Sequence, residues 1–295
     1  MSEYQRIVFR AIDGPVSDKN LQFMRQQSTR AEMNPWSFDN EYHYGDFHGD
    51  RFEMLRRGYD LHIHYANFGT RSLLIRLPNG LPDPEADEPY LDDEGVQFHP
   101  DKQGPGGILA LEPCYEAGEE LWDLDEIIGR LIPLRGEILD CDLRPLYLMH
   151  LAMACDENHD PNETRAAPVP AGLDNLSNAQ RALAEYCGMS DHLIAAAAEE
   201  SPPLASQLDT GRRYADWLQR QPEVAKNAWL AQWMADRESA VRREILARFN
   251  EECRAPTWPT AHPERTVAAL IERAEQIRSA STRKTAKKAP RKPSR

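Results

Sequence analysis

FEMLRRGYDLHIHYANF (Phe52–Phe68) is the stretch on which the fold turns. At about 100° per residue, Phe52, Leu55, Tyr59, Ile63 and Ala66 fall on one side of a helix, while Met54, Leu61, Tyr65 and Phe68 form a second apolar face. Arg56, Asp60, His64 and Asn67 line a polar stripe between them. This period predicts a helix over 52–68. His62 then lies in the apolar arc and His64 on the polar stripe, roughly 160° apart, too divergent to ligate one metal. On a strand both rings would face the same way, so any metal reading of His62-Ile63-His64 stands or falls with the period.

Working outward, Gln5 to Asp13 is dense in β-branched and aromatic residues and is expected to be a first strand. Ser17 is placed to cap a helix to about Gln27, with Leu21 and Met24 on its inner face. Ser37 to Tyr44 alternates well enough for a second strand, and Ser72 to Leu77 is a short apolar run that Pro78 ends, which suits a buried strand. The acidic stretch Pro82 to Glu94 is expected to be a loop. Val96 to Pro100 and Gly107 to Pro113 are expected to form a hairpin across the GPGG turn. The order β-α-β-α-β predicts an α/β layered sandwich of about five strands and two helices over residues 1–120.

From residue 121 the pattern turns helical, at 123–139 and 143–154, followed by a proline-containing linker to residue 172. A helical domain is expected over 173–280. It contains helices at 177–187 (stopped by Gly188), 191–199, 222–234 and 239–252, and a last one starting at Pro263 with Val267, Leu270, Ile271, Ala274 and Ile277 as one stripe. The expected class is therefore α+β, closed by a disordered basic tail over 281–295.

The chain has 295 residues, 41% hydrophobic and 28% charged, an ordinary soluble composition. No apolar run approaches the roughly 18–20 residues of a membrane span, and no signal-peptide pattern opens the chain. A cytoplasmic protein with no membrane partner is expected. Five scattered cysteines without a C-x-x-C pair are expected to be reduced thiols. The net charge of −13 is uneven: the last thirteen residues hold seven cations and no acid, so removing them leaves −20 on residues 1–282. Such a tail (Arg283, Lys284, Lys287, Lys288, Arg291, Lys292 and Arg295) attracts phosphate-rich surfaces, although no aromatic residue interleaves with its charges.

NPWSFDNEYHYGDFHGD (Asn34–Asp50) interleaves aromatic rings with titratable groups, which suits a structural polar cluster, a recognition surface or, more remotely, a loop metal site. Trp36, Asn40, His43, Asp46, Asp50 and Arg71 are its candidate binding residues. In this region FRAIDGPVS, STRAEMNPWSFDNEYHYGDFHGD and YANFGTRSLLIRLP resemble a family of uncharacterised bacterial proteins sharing an AID-P / YH-GDF-GD / AN-GTR / RLP pattern. The resemblance covers residues 4–78 most clearly and implies no activity, cofactor or partner. At His48 and at His62 to His64 that pattern carries other residue types, which counts against a histidine metal site.

Asp83, Glu85, Asp87 and Glu94 match positions of a calcium loop, but Glu88 replaces the required glycine and Pro84 and Pro89 intrude. His150, Cys155 and His159 lack a fourth zinc ligand. There is no G-x-S-x-G, phosphate loop, GxGxxG after a strand or H-E-x-x-H, which argues against the common hydrolases, nucleotide-dependent enzymes and zinc proteases. The expectation is a non-catalytic protein-interaction or scaffold module with no metal, cofactor or catalytic residue. The alternatives are an enzyme acting on nucleic acid or a phosphorylated ligand through Asp46, Asp50 and His43, and a nucleic-acid accessory protein using its tail.

Overall fold

Among the described residues, seven antiparallel strands form one sheet, in the order β2-β3-β1-β4-β5-β7-β6. They are β1 (Gln5–Arg10), β2 (Glu32–Met33), β3 (Ser37–Tyr42), β4 (Leu61–Ala66), β5 (Arg71–Leu77), β6 (Val96–Pro100) and β7 (Gly107–Leu111). The structure is a computed structural model. It describes residues 3–82, 84–92, 95–113, 121, 123–154, 160–162, 164–203, 210–235, 241, 244–245, 248–249, 252 and 265–288.

The expected helix over 52–68 is overturned. Only α2 (Arg51–Arg56), which follows α1 (Asp18–Gln27), is helical. Gly58 at φ +141° turns the chain, with Val16 already 3.3 Å from where a Cβ would stand. β4 then runs antiparallel to β1 on one side and β5 on the other, pairing Phe9 with His62 and His62 with Leu74. The misreading has a physical cause. Leu61, Ile63 and Tyr65 do alternate with His62 and His64, but the apolar residues of the short helix and turn just before them extend a helical period across the whole stretch. Leu61, Ile63 and Tyr65 enter one core, while His62 is buried on the opposite face. The helical projection separates Ile63 from Leu61 and Tyr65, three residues that share one face of the strand. With β2, also unforeseen, this raises the expected five strands to seven.

Layers cover both faces of the sheet. On one, Ile7, Phe9, Phe38, Leu74, Ile108 and Ala110 pack with Leu21 and Met24 of α1 and Met54 and Leu55 of α2. On the other, Val8, Ile63, Leu73, Ile75 and Leu109 join a larger core. Two helices that follow the short turn of α3 (Pro84–Asp87) contribute to it: α4 (Leu124–Leu131) and α5 (Leu134–Leu139). So do α6 (Arg144–Ala154), α7 (Asn178–Tyr186), α8 (Asp191–Ala198) and the first turns of α11 (Val267–Lys288). That one core therefore joins the sheet to much of the expected helical domain. Ser177 closes the start of α7 with a full capping box to Gln180. A separate aromatic cluster holds α9 (Thr210–Arg220) to α10 (Glu223–Met234): Trp217 stacks on Trp229 at 5.7 Å and meets Phe249 edge-on.

The expectation of disorder from residue 281 is also corrected as far as residue 288, because α11 is helical to Lys288. A helix anchored by its first turns extends without a new nucleation cost. No proline or glycine interrupts it, and lysines near its C-terminus favour the negative end of the dipole. Residues 289–295, with Arg291, Lys292 and Arg295, lie outside the described residues. Among the described residues no helix is long and apolar enough to cross a membrane.

Candidate functional site

One end of the sheet brings together the start of β1, the β3–α2 loop, the end of β4, the start of β5 and the residue after β7. Gln5, only 4% exposed, organises it. Its amide nitrogen donates to Asp46 Oδ1 at 2.8 Å and to the Gly45 carbonyl at 3.3 Å. Its Oε1 therefore faces His64 Nε2, 2.9 Å away, and the imidazole must donate there. Arg51 Nη1 donates to Ser72 Oγ at 3.3 Å and is ion-paired with Glu112, and Ser72 Oγ donates to the same carboxylate at 3.2 Å.

His62 sits beneath this cluster. Its Nδ1 donates to the Val8 carbonyl at 3.2 Å and its ring stacks on Phe9 with centroids 4.3 Å apart. Burial first, then His64 and Arg51 nearby, holds His62 well below the usual imidazole range. Burial and then Arg51 lower His64 to about 4, against the opposing pull of Asp46. Both rings are neutral at neutral pH and share one face of β4, the reverse of the helical expectation. Each nevertheless has its own protein partner. Among the described residues no group of three or more His, Cys, Asp or Glu side chains is placed to hold a metal ion.

The six candidate binding residues do not converge. Trp36 is half exposed at the far end of β3, its backbone held by the Asn34 side chain, which accepts from Trp36 N at 2.7 Å and Ser37 N at 3.1 Å. Asn40 is buried and donates to Ser28 Oγ and Tyr42 OH. His43 is exposed, its ring 5.6 Å from that of Tyr4. Asp46 anchors Gln5, and Asp50 caps α2 by accepting from Glu53 N at 2.8 Å. Arg71 is buried with its guanidinium 4.3 Å from the Tyr65 ring, donating to the carbonyls of Ala66 and Tyr186. It ties α7 to the sheet, as does the Tyr186 hydroxyl between β4 and β5.

The other motifs fall largely outside the described residues. Pro84–Asp87 is a short helix followed by a 3-10 turn, with Asp83 and Glu94 outside the described residues. His150 lies edge-on to Tyr90, and Cys155 and His159 are likewise outside. Cys187 is buried, which pushes its thiol up to about 12 and leaves it unreactive at neutral pH.

Sequence reasoning missed Gln5, Arg51, Ser72 and Glu112. The one available signal was the His-x-His spacing, which the wrong period turned aside. It also missed the outward face of α10. Trp229 is buried against Trp217, but Val224 is 82% exposed, Leu230 53%, Trp233 54% and Met234 81%. Leu230, Trp233 and Met234 fall within little more than one turn, so they make one patch. The exposed rings of Trp36 and Tyr44 flank opposite ends of β3 and do not.

No family model, curated protein or solved structure matches the chain.

Proposed function

We propose that the chain is a non-catalytic protein-interaction module that docks a partner protein through the outward face of α10. One observation carries this reading: Leu230, Trp233 and Met234 stand exposed together on a helix whose other side is already packed. Contiguous exposed apolar side chains mark interaction sites on soluble proteins, and tryptophan is enriched among the residues that dominate binding. Charge is sparse on this helix, where Glu223 and Lys226 are the only ionisable residues. The partner is therefore expected to offer an apolar groove that accepts an indole.

The sheet end supports the same division. Its polar groups are consumed in bonds to one another, so it serves as a brace that holds the β3–α2 loop on the sheet. The enzyme reading has less support, because Asp50 is a helix cap, Asp46 holds Gln5 and His43 lies against Tyr4.

The test is a photo-crosslinking amino acid placed at Met234 in the full chain, in the native cell, with Glu272 on α11 as an exposed control position. A discrete protein adduct from position 234, absent from 272 and abolished by Leu230→Gln with Trp233→Gln, is expected. The same adducts from both positions, or none from 234, would overturn the reading.

A further inference from the structure

We infer that the partner received by the outward face of α10 is a second copy of this chain, laid across it as an antiparallel helix pair. The inference rests on the docking reading above and names its partner. At about 100° per residue, Glu223, Asn227, Leu230 and Met234 form one row along the helix. Their spacing of four, three and four is that of a helix–helix seam. Lys226 and Trp233 flank the row on one shoulder, Val224 and Ala231 on the other. Every one of these residues is exposed except the half-buried Lys226. Trp229 points the other way, into its cluster with Trp217.

This row is complementary to itself. One antiparallel register lays Leu230 on Asn227 of the second copy and Met234 beside Glu223 of the second copy, and the two-fold axis supplies the reciprocal contacts. The same register sets Val224 against Ala231 across the seam, and Trp233 against Lys226. Each large apolar side chain then meets a smaller or more slender one, and the only cation of the helix lies where the indole ring attracts it. Glu223 falls at the end of the seam, where its carboxylate stays in water. A parallel pair loses these contacts, because it sets Glu223 on Glu223 and Trp233 on Trp233.

Charge selects the same occupant and the same direction. The chain carries a net charge of −13, so two copies repel one another in general. α10 is a neutral window: Glu223 and Lys226 cancel, and residues 227–235 hold no ionisable group. In the antiparallel register the two Glu223 carboxylates stand about 16 Å apart along the pair, roughly two Debye lengths at physiological ionic strength. The opposed helix dipoles also favour this direction. Twelve residues make only about 18 Å of helix, too short to bury the roughly 800 Å² per partner of a lasting dimer. The pair is therefore expected to form reversibly, at micromolar concentrations.

The experiment is sedimentation equilibrium of the purified full chain between about 1 and 300 μM, joined to photo-crosslinking of the purified protein from position 234. The wild type should move from one chain mass toward two as concentration rises. The crosslink should yield a covalent dimer whose tryptic adduct lies on residues 221–226, a stretch that position 234 of the same helix is too far away to reach. Leu230→Glu and, separately, Asn227→Glu place like charges across the two-fold axis and should each raise the dimer dissociation constant at least about tenfold. Asn227 is exposed, so the second variant should keep the circular dichroism melt of the wild type at low concentration. A wild type that stays monomeric at the highest concentration, an adduct on residues 227–237 instead, or equal association of both variants would overturn the assignment. If the purified chain is monomeric but position 234 still captures a different protein in the cell, the second copy is excluded and the docking reading stands. If it is monomeric and nothing is captured, both fall.

Discussion

The sheet end around His64 and the outward face of α10 both gather residues of the kind from which sites are made, and they use them in opposite ways. At the sheet end Asp46, Gln5 and His64 form one hydrogen-bonded string, and Arg51, Ser72 and Glu112 form a second. On α10, Leu230, Trp233 and Met234 are exposed. The difference teaches that a cluster of titratable groups is weak evidence for chemistry when each member is already satisfied, whereas exposed apolar area is unsatisfied by its nature. Mutations on the sheet side should therefore cost stability, and mutations on α10 should not.

The strongest way to break that contrast lies at Arg135. Its guanidinium, 3% exposed, joins Asp13 at 2.6 Å and Asp60 at 3.2 Å, while Nε donates to the Arg76 carbonyl at 2.7 Å. Asp60 Oδ2 also accepts from Ile12 N and Asp13 N. Arg135→Ala leaves the buried Asp60 and the partly buried Asp13 without their cation and is expected to cost about 3–5 kcal/mol in urea unfolding. A loss under about 1 kcal/mol would show that the polar groups beneath the sheet are not what holds α5 to the β1–α1 turn.

Acid should act next, through the two neutral imidazoles. Above pH ~6.5 both folded and unfolded chains carry them uncharged. As the pH falls from there toward 4, the unfolded chain takes up protons that the folded chain refuses, so stability declines and then levels off. For His64 alone, with its folded value near 4, the loss at pH 5 is about 2 kcal/mol, and His62 deepens it. His64→Gln keeps an N–H for Gln5 Oε1 and removes the titration, so its stability should vary less between pH 7.5 and 5. An unchanged pH profile would sink this account of the cluster.

A smaller effect is expected at Asp50. Its carboxylate caps α2, and Asp50→Ala should cost about 1 kcal/mol. In the same variant, amide exchange should speed up in residues 51–54 before it does elsewhere. Uniform acceleration across the sheet would mean that α2 is not a separate local unit.

How much of this was legible in the sequence depended on how locally each element is decided. The helix caps at Ser17 and Ser177, the Pro78 stop and the β6–β7 hairpin were readable because local chemistry decides them. β4 was not, because its short alternation of Leu61, Ile63 and Tyr65 with two histidines follows directly on the apolar run of α2 and was absorbed into one longer helical period. The polar cluster was hidden for a related reason. Gln5, Ser72 and Glu112 lie far apart in the chain and meet only through the pairing of β1, β4, β5 and β7. α11 failed in the other direction: composition past residue 280 suggests disorder, but the preceding apolar stripe nucleates a helix that carries the basic residues with it. The α10 helix itself was legible from Pro222, which sits where a helix tolerates proline at its start. Its exposed face was not, since eight apolar residues in twelve look like a buried helix until the packing shows which side is taken.

Trp233 supplies the smallest expected effect on folding and the sharpest form of the contrast. An indole 54% exposed has little burial to lose, so Trp233→Gln, which keeps a good helix former, should shift the unfolding free energy by less than about 0.5 kcal/mol. Unfolding should be followed by circular dichroism at several protein concentrations, because a self-associating face would make the midpoint concentration-dependent. If the variant unfolds with the wild-type midpoint and loses the crosslink at position 234, the residue serves binding and not folding. If it instead destabilises α9 and α10 as a buried tryptophan would, the face is part of the molecule's own packing and the proposed docking role fails with it.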